Sequence, residues 1–98
     1  MLTHEQSLKI VLHRLAALGQ ELGKPELIQA DEQTRLFGET AALDSIGLVT
    51  LIADLEEDIR VATGKNVTLA DEKAMSRLTS PFRRVDLLAE YVVEITRN

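Results

Sequence analysis

Apolar positions recur at helical spacing in three stretches of the chain, and the segments between them follow no sustained period. In the first stretch Leu8, Val11, Leu12, Leu15 and Leu18 line one face of an otherwise polar helix. Thr3-His4-Glu5-Gln6 ahead of it is a capping-box pattern, in which Thr3 accepts from the amide of Gln6 and Gln6 reaches back. Gly19 is tolerated within the helix, and Gly23-Lys24-Pro25 ends it. The second stretch begins at Asp44-Ser45 and runs to Thr63, with Gly64 placed as the left-handed residue past its end. The third carries Val85, Leu88, Val92 and Ile95, widened by Leu87 and Tyr91. Ser80-Pro81 predicts its start, with Ser as N-cap and Pro at the first helical position.

Residues 24–43 read as a loop, marked by Gly38 and scattered Asp, Glu and Thr. A connection this long in a small domain needs pinning, and Leu27, Ile28, Leu36, Phe37 and Leu43 are spaced as anchors to a core. Val67 and Leu69 predict an extended stretch, and Asp71-Glu72-Lys73-Ala74-Met75 a short turn of helix. The expected fold is all-α. It is a small bundle of three long helices and one short one in a single domain over residues 1–98, with the long loop between the first two long helices.

The second helix carries more apolar surface than one core requires. At about 100° per residue, Leu48, Leu51, Ile52, Leu55 and Ile59 form a core stripe. Ile46, Val49 and Ala53 fall roughly opposite, flanked by Thr50, Asp54 and Glu57. An apolar strip edged by acids is how a docking face looks. The alternative is that the long loop or the short segment folds over it.

Composition narrows the function classes. Hydrophobic residues make up 45% and charged residues 28%, which excludes a disordered chain. There is no cysteine, so neither a disulfide framework nor a zinc-thiolate site is available. Net charge is −5, and no basic stripe interleaved with aromatics relieves it, so nucleic acid is not an expected partner. Between residues 44 and 59 stand Asp44, Asp54, Glu56, Glu57 and Asp58 with no Lys or Arg, which points to partners with basic patches. No apolar run approaches the ~20 residues of a membrane span. Met1-Leu2-Thr3-His4-Glu5 is not a signal-peptide pattern, so the expected location is cytoplasmic and the expected state a monomer.

The start of the second helix is the candidate for chemistry. Its first amide groups are unpaired and carry the positive end of the helix dipole, which stabilises an anion by ~0.3–1 kcal/mol. Asp44 predicts the N-cap, accepting from the amide of Gly47, and Ser45 presents a hydroxyl beside that pole. Asp-Ser at a helix start is also ordinary capping chemistry. A nucleophilic-serine enzyme is disfavoured: His4 and His13 fall on nearly opposite faces of the first helix, so they share neither one catalytic site nor one metal. The five glycines stand singly and form no phosphate-binding loop. No catalytic or metal-ligating residue is therefore assigned.

The run Leu43-Asp44-Ser45-Ile46-Gly47-Leu48-Val49, continuing to Leu55-Glu56-Glu57-Asp58-Ile59, resembles the acyl carrier protein family. That family opens its second helix with Asp-Ser-Leu and follows it with an acidic Leu-Glu-Glu. Phe82-Arg83-Arg84-Val85-Asp86-Leu87-Leu88-Ala89-Glu90-Tyr91-Val92 is similar to the family's last helix, and Leu36-Phe37-Gly38-Glu39 also fits. The resemblance spans nearly the whole chain.

It implies an acyl-carrier-protein-like bundle in which Ser45 is the attachment point of 4′-phosphopantetheine. The group would come from coenzyme A through a separate phosphopantetheinyl transferase, with Mg²⁺ needed only for that transfer and Asp44 helping to orient ion and serine. An acyl or aminoacyl group would then ride as a thioester on a sulfur the chain itself lacks. Partner enzymes with basic docking patches would load and use it, meeting Ile46, Val49, Ala53, Asp54 and Glu57. Two positions depart from the pattern of bulk fatty-acid carriers, which place acids where Gly47 and Thr50 stand. That departure suggests a specialised stand-alone carrier in a lipid, polyketide or related pathway. An aminoacyl or peptidyl carrier, or an unmodified acidic interaction module, are the alternatives.

Overall fold

The structure, a computed structural model, describes residues 2–36, 43, 45–69 and 82–97, Ser45 by its backbone. Helix α1 spans His4–Leu22 and starts from the capping box expected of its sequence. The Thr3 hydroxyl accepts from the Gln6 amide at 3.1 Å, and the Gln6 side chain accepts from the Thr3 amide at 3.0 Å. It ends at Gly23, whose φ of 69° is left-handed backbone that a side chain would strain.

A short helix α2, Pro25–Ile28, follows at once, within the segment the sequence reads as loop. Pro25 supplies its first position, but four residues hold no period to detect. What permits it is Gly19. A Cβ there would lie 2.8 Å from the Leu27 Cβ and 2.8 Å from the Lys24 carbonyl oxygen, so only glycine lets α2 close onto α1. Leu27 is thereby fully buried, while Ile28 remains 44% exposed rather than anchoring the loop.

Helix α3 runs Ser45–Thr63 and stops at Gly64, φ 75°. Beyond it, Val67 is half-buried and Leu69 buried in non-helical backbone. Helix α4, Val85–Thr96, begins later than Ser80-Pro81 predicts. Its cap is not a side chain. The Val85 amide donates to the Thr34 carbonyl at 3.0 Å, the Asp86 amide to the Glu32 carbonyl at 3.0 Å, and the Leu36 amide to the Arg83 carbonyl at 2.9 Å. The long connection thus crosses the start of α4 as an isolated antiparallel bridge, Arg35 to Arg84, and satisfies amides that helix ends leave open. Asp86 completes this end. Its carboxylate accepts from Arg84 Nε at 2.6 Å and from the Leu87 amide at 2.9 Å, and Arg84 holds it below the usual carboxylate range.

Helix α1 packs against each of the other three. The core stripes come together as Val11, Leu15 and Leu18 of α1; Leu48, Leu51, Ile52, Leu55 and Ile59 of α3; and Val85, Leu88, Tyr91 and Val92 of α4. Leu36 and Leu43 are buried with them, so the connection is pinned as its spacing predicts. Phe82 meets Tyr91 edge-on, ring centres 6.5 Å apart. The buried Ser7 hydroxyl donates to the Ala89 carbonyl at 2.8 Å and ties α1 to α4. Among the described residues the fold is an all-α bundle without a strand, and no helix is long and apolar enough to cross a membrane. The expected turn at 71–75 and the residues Phe37, Ser80 and Pro81 lie outside the described residues.

Candidate functional site

Ser45 is the first residue of α3. Leu43 before it and Leu48 in the helix are both buried in the common core, at the spacing of a hydrophobic staple that sets the angle at which a chain enters a helix. The first turn of α3 carries no acidic side chain, so nothing within that turn neutralises the positive end of the dipole. Asp44, expected as N-cap, and the side chain of Ser45 lie outside the described residues.

From this start the two expected stripes separate cleanly. The core stripe is buried, whereas Ile46 is 78% and Val49 66% exposed, with Ala53 exposed on the same arc. Neither α1, α2 nor α4 covers them. Glu57 continues that arc one turn on. Its carboxylate is paired with Arg60, which accounts for its pKa lying below the usual range.

Asp54 does not share the arc. It faces α1, 3.9 Å from Arg14, beside the tighter partner Asp58. Arg14 donates through Nε at 2.8 Å and a terminal nitrogen at 2.7 Å to the two oxygens of Asp58, a bidentate clamp between α1 and α3 that raises the arginine's own pKa. Glu56 accepts the Leu69 amide at 2.8 Å. Each acid of the second half of α3 therefore has a partner within the chain.

A cleft of about 310 Å³ opens where the end of α1 passes the start of α3. Leu18, Leu22, Ile46 and Gly47 form its apolar walls, and Glu21, Lys24 and Thr50 its polar rim. Leu22 stands one turn past Leu18, the last residue of the α1 stripe, and is 47% exposed on the cleft. The rim was not legible in the sequence, because it depends on which turn of α1 stands beside Ile46.

His4 and His13 are both exposed on α1. Among the described residues no group of His, Asp or Glu is placed to hold a metal ion. No protein-family model matches the chain, and neither a curated protein nor a solved structure matches it significantly.

Proposed function

We propose that this chain is a carrier protein of the acyl-carrier type, with 4′-phosphopantetheine joined to Ser45 and an acyl or aminoacyl group held on the arm's sulfur. The observation that supports it most directly is α3 itself. It opens at Ser45 with an acid-free first turn, and the exposed residues that follow, Ile46, Val49, Thr50 and Ala53, make a mostly apolar face beside the attachment point.

A phosphodiester at that place fits the residues present, since the positive end of the helix dipole favours an anion and no acid stands within the first turn of α3. In the transfer, the Ser45 oxygen would form one P–O bond at the pantetheine phosphate of coenzyme A. One anhydride P–O bond breaks, the nucleotide half departs, and the hydroxyl proton passes to a base of the transferase. The group supplies a thiol for thioester chemistry; the chain supplies position and recognition.

Partners are the phosphopantetheinyl transferase and enzymes that load and consume the cargo. The net charge of −5 favours basic surfaces on them, and the Ile46-Val49-Ala53 face supplies the apolar contact. A specialised lipid, polyketide or related pathway suits Gly47 and Thr50 standing where bulk fatty-acid carriers place acids. Such a carrier would act as a monomer in the cytoplasm.

Mass spectrometry after incubation with coenzyme A, Mg²⁺ and a broad-specificity transferase tests the proposal. The expected result is the mass gain of one phosphopantetheine, abolished by Ser45→Ala. No gain under conditions that load a known carrier would overturn it and favour the reading of the same exposed face as an unmodified interaction module.

A further inference from the structure

The cleft between the last turn of α1 and the first turns of α3 begins at the residues next to Ser45, since Ile46 and Gly47 form part of its wall. Its far wall on α3, Thr50, lies ~7.5 Å along the helix axis from Ser45 at 1.5 Å per residue. The groove lined by Lys9, Ile10, His13 and Asp58 lies at the other end, with Asp58 ~20 Å from Ser45 by the same rise. At about 310 Å³ the near cleft is at the lower end of the ~300–1,000 Å³ of small-molecule pockets. It is of a size for part of an arm, not for arm and long cargo together.

We infer that this cleft is the resting seat of the arm carried by Ser45, and that it holds the pantoyl half while the thioester end projects. The inference rests on the carrier reading above and adds to it a site built from α1. The chemistry matches in three places. Leu22 and Ile46 offer half-exposed to exposed aliphatic surface for the geminal methyl groups. Gly47, buried in the first turn, has no side chain to stand in the way. The Thr50 hydroxyl spends its proton on the Ile46 carbonyl at 3.0 Å, which leaves its oxygen to accept from an arm amide. Strong contacts are not required, because a tethered ligand is held near its seat at an effective concentration in the millimolar range.

Amide and methyl NMR spectra of the unloaded and loaded protein test this, with loading verified by mass. The expected result is shift changes at Leu18, Glu21, Leu22 and Thr50, none at the exposed Val61 on the far part of α3, and nuclear Overhauser contacts from the arm's geminal methyls to Leu22 and Ile46. In loaded Leu22→Glu those contacts should vanish, and in loaded Leu22→Met they should return. A loaded protein whose shifts stop within residues 43–47, or appear at Lys9, His13 and Asp58 instead, would overturn the seat and leave the carrier standing. Absence of any mass gain would remove both.

Discussion

The two halves of α3 are chemically unlike and are used in opposite ways. In the second half Asp54, Glu56, Glu57 and Asp58 supply most of the helix's charge, and each is engaged within the chain: by Arg14, the Leu69 amide, Arg60 and Arg14 again. In the first half no acid stands among the described residues, and Ile46, Val49 and Ala53 face outwards. An acidic run in a sequence is therefore not the same as free acidic charge, and an apolar residue is not the same as a core residue. Here Asp54 and Asp58 tie α3 to α1, while the hydrophobic side chains of Ile46, Val49 and Ala53 stand exposed.

The comparison breaks most visibly in the core stripe. Leu55 is fully buried, so Leu55→Ala should cost ~2–5 kcal/mol, read as a fall in the thermal or urea midpoint. An unchanged midpoint would mean the buried and exposed faces of α3 are reversed. Next in size is the clamp. Arg14 and Asp58 keep 30% and 24% of their side-chain surface in water, which sets their bidentate pair between exposed and buried ion pairs. Arg14→Met should cost about 1–2 kcal/mol, and the loss should shrink when Asp58 is also replaced by Asn in a double-mutant cycle. Equal, additive losses would show that Asp58 acts independently of the clamp.

Local signals carried much of this fold, and non-local ones account for what the sequence hid. Helices α1 and α3 end where their own neighbouring residues say they should, because Thr3, Gln6, Gly23 and Gly64 act within a few positions of the boundary. The start of α4 is different. Ser80-Pro81 is a sound local signal, but the amides of Val85 and Asp86 are taken by carbonyls of Thr34 and Glu32, far upstream in the chain. No pattern within the last helix announces that partner. Helix α2 hid for a related reason, since it depends on the missing Cβ of Gly19 beneath it. At the site, the periodicity separated Ile46, Val49 and Ala53 from the core correctly. It could not show that Asp54 turns to Arg14, or that Leu22 looks onto a cleft, because both depend on how α1 and α3 are set side by side.

The smallest effect on stability should come from the residues proposed for docking. Ile46→Arg and Val49→Asp place charges on side chains that are 78% and 66% exposed, where substitutions shift stability by no more than about 0.5 kcal/mol. Ile46→Arg puts a cation in the first turn of α3, against the positive end of the dipole, while Val49→Asp lies one turn further on and adds to the net charge of −5. The two changes therefore alter electrostatics in opposite senses and share only the removal of an apolar contact. If contact is what the face provides, both should slow loading by a transferase, through a higher KM, with the midpoint of unfolding unmoved. If charge alone matters, Val49→Asp should load as well as the parent or better on a basic partner, and only Ile46→Arg should suffer. A large fall in midpoint for either would instead show that the face is covered, and the distinction between the halves of α3 would no longer hold.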